Sequence, residues 1–288
     1  MTDHIRIEHH GAVGVLTIAR RDRFNSLDVE TAQDLRRAGL QLARDRDVRS
    51  VVLRGDGGVF CSGADLKYIA GGGNADVGYL SPEARSANEA PPANARPGAG
   101  RYGAIFKQIL EYIHSTISEI RRAPKPWLAA VDGPTAAGGL GIAMACDLVI
   151  ASERATFEWA YFKTGLTGAE STTFLLPRLV GFRKAMELVL LGARQTAREA
   201  QAIGLINEVV PDARLDERAL QIAQQLAEAP TAAVGVAKRL LNRAAGMDRL
   251  DVHLDAELAE LARIADGDNF AEGLAAFFER RAPRFGAG

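Results

Sequence analysis

Cysteine is scarce in this sequence: the 288 residues contain two, Cys61 and Cys146, and both stand among apolar neighbours. A disulfide-stapled secreted domain needs a denser set, so we interpret this pair as small buried hydrophobes in a reducing compartment. Long apolar runs are also missing, and no stretch reaches the roughly 20 residues that cross a bilayer. The N-terminal segment MTDHIRIEHH lacks the apolar core of a signal peptide. These features predict a cytoplasmic protein without a membrane partner.

A dominant charge is missing as well. The formal net charge is −1 and no dense basic run occurs, so nucleic acid is not an expected partner. No group of side chains shows metal-ligand spacing, and no metal is expected. The histidines are scattered, and each is interpreted as a surface or core residue: His4, His9, His10, His114 and His253. Apolar residues, by contrast, make up 47% of the chain, which suffices for a large core.

Strand-like and helix-like segments alternate over the first part of the chain. Ile5–Glu8 and Val13–Ala19 predict a hairpin. Leu27–Arg44 has apolar residues at helical spacing, and Ser50–Leu53 predicts a further strand. Alternation of this kind is typical of an α/β fold. From Arg214 onward the apolar spacing predicts helices alone.

A loop and two helices are predicted further along the chain. Gly71–Gly100 is rich in glycine and proline and poor in apolar residues, which predicts a loop. One interpretation of this loop is an uninvolved surface connection; the other, a lid beside the ligand, is what the family resemblance described below implies. Further along, Glu170–Leu179 and Phe182–Leu191 predict two helices separated near Gly181.

The stretch Ala129–Asp147 holds the first candidate site. Lys125–Val131 predicts a strand, a small-residue turn follows, and Leu140–Ala145 is apolar and predicts a helix. The first N–H groups of such a helix have no partners within it, so they can bind an anion or a polarised carbonyl oxygen. The alternative is that Gly138 and Gly139 only allow tight helix packing.

A second stretch has the same layout. Ser50–Leu53 predicts a strand, a turn follows, and Val59–Leu66 again leads through small residues into a helix start. The N–H groups of Ala64 and Gly138 would then form a two-donor oxyanion hole. Such a site stabilises the enolate or tetrahedral oxyanion of an activated acyl group.

These stretches, FCSGADL at residues 60–66 and DGPTAAGGLGIAMACD at residues 132–147, resemble the crotonase family, the enoyl-CoA hydratase/isomerase superfamily. NSL at 25–27, GLIN at 204–207 and FAEGLAAFFERR at 270–281 extend the resemblance. It implies an α/β fold built as a spiral of ββα units and followed by C-terminal helices.

The resemblance also implies how the chain is divided and assembled. Residues 1–205 would form the acyl-CoA-binding core, and residues 206–288 the C-terminal helical oligomerisation region. In the family these helices form a trimer, often paired into a hexamer.

The resemblance implies an acyl-CoA thioester as the ligand, with its carbonyl oxygen between Ala64 and Gly138. Coenzyme A enters as part of the substrate, so no separate cofactor is expected. The implied CoA contacts are made mainly through backbone groups of these residues: Arg23, Asn25, Leu27, Asp65 and Leu66. Phe277 is the implied apolar wall, and Arg280 stands where the family often has a cation near the CoA phosphates. The alternative for Arg280 is an exposed helix cation.

The sequence departs from the two-glutamate pattern of the family's hydratases. One glutamate position, three residues past the oxyanion glycine, is Gly141, and the other, four residues past Phe157, is Tyr161. A phenol with a pKa of ~10 is a poor base at neutral pH but a fair hydrogen-bond donor. Ordinary hydration of a straight-chain enoyl-CoA is therefore not expected. Glycine at 141 is interpreted as leaving room for an aromatic or alicyclic acyl group.

Glu170 is the candidate that replaces the missing glutamates. By resemblance, ring-opening-pathway isomerases and an aromatic acyl-CoA dehalogenase branch carry an aspartate at the position of Ala169. The dehalogenase branch also has an aromatic residue at the position of Tyr161. A catalytic role for Glu170 is weighed against capping or dipole pairing in the first turn of a helix. Glu158 and Glu153 are the other candidates.

The leading hypothesis is an isomerase or an atypical hydratase/lyase with one carboxylate. Glu170 would remove a proton beside the thioester carbonyl, while Tyr161 orients substrate or donates a hydrogen bond. Ala64 and Gly138 would hold the enolate. One rival is a non-catalytic CoA-binding protein that kept the fold and lost the acids. Other rivals are an aromatic acyl-CoA dehalogenase-like enzyme and an enzyme that borrows bicarbonate as its base.

Overall fold

The computed structural model describes residues 3–73 and 102–286, and it confirms the predicted α/β class. Beyond Gly73, the loop predicted at residues 71–100 lies outside the described residues. The strands are β1 (Ile5–His10), β2 (Val13–Ile18), β3 (Ser50–Gly55), β4 (Trp127–Val131), β5 (Pro134–Ala136), β6 (Leu148–Ser152), β7 (Thr156–Glu158), β8 (Gln195–Thr196) and β9 (Glu208–Val210).

Helices fill the intervals and the C-terminal part of the described chain. They are α1 (Val29–Arg44), α2 (Leu66–Ala70), α3 (Tyr102–Arg122), α4 (Gly138–Ala145), α5 (Thr172–Val180), α6 (Phe182–Leu191), α7 (Ala197–Ala202), α8 (Leu215–Glu228), α9 (Thr231–Ala244), α10 (Leu250–Ala265) and α11 (Asp268–Glu279). Over residues 3–73 and 102–286, none of them combines the length and apolarity needed to span a bilayer.

The larger sheet has the strand order β1-β2-β3-β4-β6-β9, and a smaller sheet has the order β5-β7-β8. In the larger sheet β1 and β2 form the predicted antiparallel hairpin, and every later pairing is parallel. All residues of β2 and β4 are buried, as is typical of parallel strands covered on both faces. One face packs against α1, α3 and α4, and α8 covers the other.

The parallel arrangement brings two turns to one edge of the core. The chain leaves β3 and reaches α2, and it leaves β4, passes through β5 and reaches α4. Between β3 and α2, Cys61 forms an isolated bridge with Thr135, which ties the two turns together. Both helix starts therefore face the same region.

Helix bounds agree with the sequence prediction at α6 and differ at α5. The predicted helix from Glu170 begins two residues later, at Thr172. Glu170 and Ser171 have φ angles of 50° and 63°, in the left-handed region that is incompatible with a continuing right-handed helix. Glu170 therefore lies in the turn before α5 and not in its first turn.

The region from residue 206 begins in the core sheet, since β9 pairs with β6, and continues as the predicted helices α8 to α11. Buried Lys238 on α9 joins this C-terminal region to the preceding part of the chain, at the end of α3 and beside β4. Its amino group donates to the carbonyls of Ile120 (2.7 Å) and Lys125 (3.1 Å) and pairs with Asp147 (2.7 Å). The division at residue 205 stays a prediction.

Candidate active site

A cavity of about 230 Å³ lies where the starts of α2 and α4 meet α3, α10 and α11. Ala64 and Gly138 line it, together with Tyr161 and Glu170. The structure thus brings the four predicted catalytic residues around one cavity. The remaining lining is mostly apolar: Ser62, Leu66, Phe106, Ala136, Ala137, Ala160, Lys163, Thr164, Leu166, Leu261 and Phe277.

The backbone of Ala64 is oriented by its neighbours. Leu27 accepts a hydrogen bond from Asp65 N (2.9 Å) and donates one to Gly63 O (2.8 Å), so it bonds the residues on both sides of Ala64. Leu27 and Ala64 thus form an isolated parallel β-bridge. In such a bridge the N–H of Ala64 points away from Leu27. Gly63 has a φ of 88°, a left-handed value that glycine adopts readily.

Gly138 supplies the second amide. It is the first residue of α4, so its N–H has no partner within the helix. The preceding Ala137 has a left-handed φ of 47°, which turns the chain sharply into the helix. A Cβ added to Gly63 would lie 3.2 Å from Gly138 N, so the two turns are in contact. Two backbone donors next to each other can bind one carbonyl oxygen and stabilise it as an oxyanion.

The Glu170 carboxyl lies beside this pair of amides. A Cβ added to Gly138 would stand 2.7 Å from Glu170 Oε1, and the hydroxyl of Tyr161 donates a hydrogen bond to Glu170 Oε2. Burial raises the pKa of Glu170 to about 8; the Tyr161 hydrogen bond lowers it and the charge of Glu257 adds to the rise. Burial and the Glu170 charge hold the pKa of Tyr161 well above its usual value, so Tyr161 acts as a donor and not as a base.

Ala169, Glu170 and Ser171 form a tight turn before α5, which we call the Glu170 turn. Two side chains from distant helices bond its backbone. Glu170 N donates to His114 Nε2 on α3 (3.2 Å), and Ser171 N donates to Glu257 Oε2 on α10 (2.8 Å). Burial lowers the pKa of His114 to about 4, so the ring is neutral and can accept this hydrogen bond at Nε2.

His114 and Glu257 are the site residues that sequence reasoning missed. His114 is a core residue, as one of the two interpretations had it, and its contact with the Glu170 turn could not be foreseen. The bonded residues stand 56 and 86 positions apart in the chain, and no local motif marks either pair. For Glu257 the sequence offered one signal, a glutamate at helical spacing from Leu254 and Leu261, because charged residues are rarely buried unless they are paired.

Gly141 does not line the cavity, and the room expected beside it is filled. A Cβ at this position would lie 2.0 Å from Glu170 O and 2.8 Å from Glu170 Cβ. The interpretation that this glycine makes space for a bulky acyl group is therefore wrong. The Glu170 turn occupies the space beside Gly141, and a glutamate side chain at position 141 would displace that turn.

The predicted CoA-binding residues divide into two groups. Leu66 and Phe277 line the cavity, whereas Arg280 ends α11 as an exposed residue outside the lining. The others hold the surrounding turns: Arg23, Asn25, Leu27 and Asp65. Asn25 is buried and donates to the carbonyls of Asp56 (2.9 Å) and Val59 (2.6 Å).

Asp65 joins the start of α2 to the turn around residue 23. It caps α2 by accepting from Lys67 N and Tyr68 N, both at 3.0 Å. It also pairs with Arg23 (2.6 Å) and with buried Arg20 (2.8 Å), a residue that the sequence prediction did not single out. These side chains therefore fix the turn that carries Ala64 N.

The alternative carboxylates are engaged elsewhere. Glu158 is buried and paired with Lys163 and with Arg194 (3.0 Å), and Glu153 pairs with Arg198 at the surface. Of the residues that the structure describes along the cavity wall, Glu170 is the one with a carboxyl group. Over residues 3–73 and 102–286 as a whole, no cluster of three or more histidine, cysteine, aspartate or glutamate side chains could hold a metal ion.

Comparison with known proteins identifies the class of enzyme. A family model described as enoyl-CoA hydratase/isomerase matches residues 8–88 and 104–288. The chain belongs to the enoyl-CoA hydratase/isomerase family. It is 32% identical over 274 residues to 4-chlorobenzoyl coenzyme A dehalogenase-2 of Arthrobacter sp, covering 95% of this chain and 90% of that one.

Other members of the enoyl-CoA hydratase/isomerase family are similar to it at comparable levels. The 1,2-epoxyphenylacetyl-CoA isomerase of Escherichia coli K12 is 32% identical over 273 residues, which cover 95% of this chain and 94% of that one. The crystal structure of an enoyl-CoA hydratase from Mycobacterium avium subsp. paratuberculosis superposes with a TM-score of 0.82 at 28% identity, covering 99% and 100% of the two chains. The expected crotonase-type fold is thus confirmed, and the protein is an enzyme of a family that acts on acyl-CoA thioesters.

Proposed function

We propose that this enzyme isomerises an acyl-CoA by moving one proton, with Glu170 as the proton carrier. The thioester carbonyl oxygen accepts hydrogen bonds from Ala64 N and Gly138 N. In a β,γ-unsaturated acyl-CoA, Glu170 Oε1 takes the proton from the α-carbon, and the oxygen of the resulting dienolate is held by the two amides. Glu170 returns the proton to the γ-carbon, so the double bond moves and the carboxylate is restored.

The observation that carries this proposal is that, among the described residues, one carboxyl group lies beside Gly138 N, that of Glu170. A double-bond shift needs one group that takes and returns a proton, whereas hydration by the family's usual route needs two glutamates. Gly141 and Tyr161 occupy those two positions here. The Glu170 turn fills the space beside Gly141, so the missing glutamate has no room in this arrangement.

Tyr161 has a supporting role in the proposed reaction. Its hydroxyl donates to Glu170 Oε2 and lies 3.1 Å from Ala169 O. That carbonyl already accepts from Thr172 N (3.0 Å) and Thr172 Oγ1 (2.7 Å), and an oxygen has two lone pairs. The Tyr161 hydrogen is therefore directed to Oε2, which leaves Oε1 for the substrate.

The variant Glu170→Gln tests the proposal. It keeps the size of the side chain and removes the base, so turnover of an enoyl-CoA panel should fall about 10²–10⁴-fold. Exchange of the substrate α-proton in heavy water should be lost in parallel, while the affinity for the acyl-CoA stays close to that of the parent. Unchanged turnover would move the proton transfer to another group.

A second candidate is the removal of chlorine from an aromatic acyl-CoA. The similarity to the Arthrobacter dehalogenase favours it, as does the mostly apolar cavity with Phe106 and Leu261. Chloride release from 4-chlorobenzoyl-CoA, abolished by Glu170→Gln, would support this candidate over the isomerase. Both reactions begin from the ionised carboxylate; the raised pKa of Glu170 favours the isomerase, because a carboxylate of higher proton affinity is a stronger base for proton abstraction.

We also propose contacts, assembly and location that go with this activity. Leu66 and Phe277 would line the entry of the CoA chain, backbone groups around Arg23, Asn25, Leu27 and Asp65 would bind its adenine end, and Arg280 would approach its phosphates. A homotrimer, or a hexamer made of two trimers, would cover the exposed apolar residues of α6 and α9: Phe182, Leu190, Leu191, Leu240 and Leu241. A cytoplasmic location accords with the unpaired state of buried Cys61 and Cys146.

A further inference from the structure

The Glu170 turn has an unusual backbone that something must hold in place. Glu170 and Ser171 are consecutive residues with left-handed φ angles of 50° and 63°, and neither is glycine. L-residues rarely adopt this conformation, and such strain persists only where the surroundings enforce it. A turn of this kind would relax and redirect the Glu170 side chain if its supports were removed.

The local residues supply that support only in part, through Ala169 O, which accepts from Thr172 N (3.0 Å) and Thr172 Oγ1 (2.7 Å). Ser171 stands at the N-cap of α5, but its side chain makes no capping hydrogen bond, and its Oγ atom is buried without a partner. The free N–H groups at the start of α5 therefore need an acceptor from elsewhere in the molecule.

Glu257 of α10 is that acceptor. Its Oε2 accepts from Ser171 N (2.8 Å), and its Oε1 accepts from Thr173 N (2.9 Å) and Thr173 Oγ1. The Glu257 residue is 5% exposed, and its carboxyl raises the pKa of Glu170 through the proximity of like charges. The buried Glu257 carboxylate bonds Ser171, the neighbour of Glu170. It can therefore control both the orientation of the Glu170 side chain and its proton affinity.

We propose that Glu257 is a positioning residue: its two carboxylate oxygens hold the backbone that aims Glu170 at the substrate α-carbon. This inference rests on the proposed proton transfer by Glu170. Glu257 does not line the cavity, so it acts through the Glu170 turn and the start of α5, to which it is bonded.

The variant Glu257→Gln tests the role against a matched control, Glu260→Gln. Both residues are on α10, but Glu260 is exposed and pairs with Arg263. The glutamine side chain has one oxygen and one NH₂ group. Either Ser171 N or Thr173 N would therefore face the NH₂ group, which is a donor and cannot accept its hydrogen bond. We expect kcat to fall about 10- to 100-fold, the scale of a small misplacement of a catalytic group, with KM within about two-fold of the parent. The control should keep both parameters.

Two readouts separate positioning from simple helix capping. Removing the like charge should lower the pH at which kcat/KM is half-maximal, because Glu170 then loses its proton more readily. In the Glu170→Gln background, Glu257→Gln should have no further effect on the residual rate, since the two changes act through one group. A lower melting temperature with unchanged kcat and pH midpoint would mean that Glu257 only caps α5.

The Glu257→Asp variant covers the case in which Glu257→Gln does not fold. It keeps the charge and shortens the reach, so kcat should again fall; a parental kcat would overturn the inference. Glu170→Gln, assayed beside these variants, distinguishes the two proposals. If it retains turnover, the proton transfer by Glu170 is wrong and the positioning role falls with it. If it loses turnover while both Glu257 variants keep theirs, only the positioning role is wrong.

Discussion

The side chain of Glu170 combines two properties that oppose each other. Its location beside Gly138 N suits a base, yet burial favours its neutral form and raises its pKa to about 8. At pH 7 about a tenth of such a group is ionised. In the proposed reaction, a smaller ionised fraction of Glu170 at neutral pH is offset by the higher proton affinity of its carboxylate, which suits a group that must abstract a weakly acidic proton.

A pH profile of kcat/KM follows from this. Because the proton-abstracting form is the carboxylate, kcat/KM should rise with pH to a plateau, with the midpoint of the rise at about 8. Tyr161→Phe removes the hydrogen bond that lowers the pKa of Glu170, so the midpoint should move to higher pH. Steady-state rates between about pH 6 and pH 10 would measure both. A flat parental profile, or a midpoint that Tyr161→Phe leaves in place, would contradict the assignment.

At the scale of elements, the site depends on how closely α4 approaches the Glu170 turn. Gly141 permits this approach, since any side chain there would meet the carbonyl of Glu170. The sequence marked Gly141 as a departure from the hydratase pattern, but it could not show what occupies the space. The space beside Gly141 is occupied by the Glu170 turn. The path of that turn is set by hydrogen bonds to His114 and Glu257, which are far away in the chain.

Gly141→Ala should push the Glu170 turn away from α4. We expect a loss of stability of about 1–3 kcal/mol, as for overpacking in a core, together with a large loss of turnover. Urea denaturation and steady-state kinetics would measure the two effects. Gly39→Ala on α1 is the matched control, because its added Cβ would meet Thr116 Cγ2 at an ordinary 3.5 Å. The control should keep activity and hold or raise stability.

Local patterns predicted the elements well and the site in part. The alternation of Val13–Ala19 and the apolar spacing of Phe182–Leu191 reappear as β2 and α6, because each pattern depends on neighbours in the chain. The small residues around Ala64 and Gly138 pointed to two helix starts at one cavity. The bonds from His114 and Glu257 could not be predicted, since they depend on which helices pack together, and the start of α5 was misplaced because two residues adopt left-handed φ angles.

At the scale of the whole molecule, large apolar side chains remain exposed on the outer helices. Leu191 on α6 is 72% exposed and Leu241 on α9 is 71% exposed. An exposed apolar surface of this kind is typical of an interface. We expect the isolated chain to associate through these helices.

Leu241→Asp should weaken that association by placing a charge in the apolar interface. Leu241→Met keeps the surface apolar and should assemble as the parent does. Sedimentation velocity would measure the mass of each species, with a trimer or hexamer expected for the parent and smaller species for the aspartate variant. Equal masses for both variants would show that this part of α9 lies outside the interface.

The hydrogen bonds of the Glu170 turn also bear on the order in which the molecule forms. They join the turn to residues 56 positions earlier and 86 positions later. Contacts between distant segments tend to form late in folding, because the loop between them must close first. A chain on the ribosome can therefore build its early strands and helices while the Glu170 turn still lacks its hydrogen bond to α10. In the proposed reaction, the carboxylate of Glu170 would be held in place only after α10 has been synthesised and has docked beside α3.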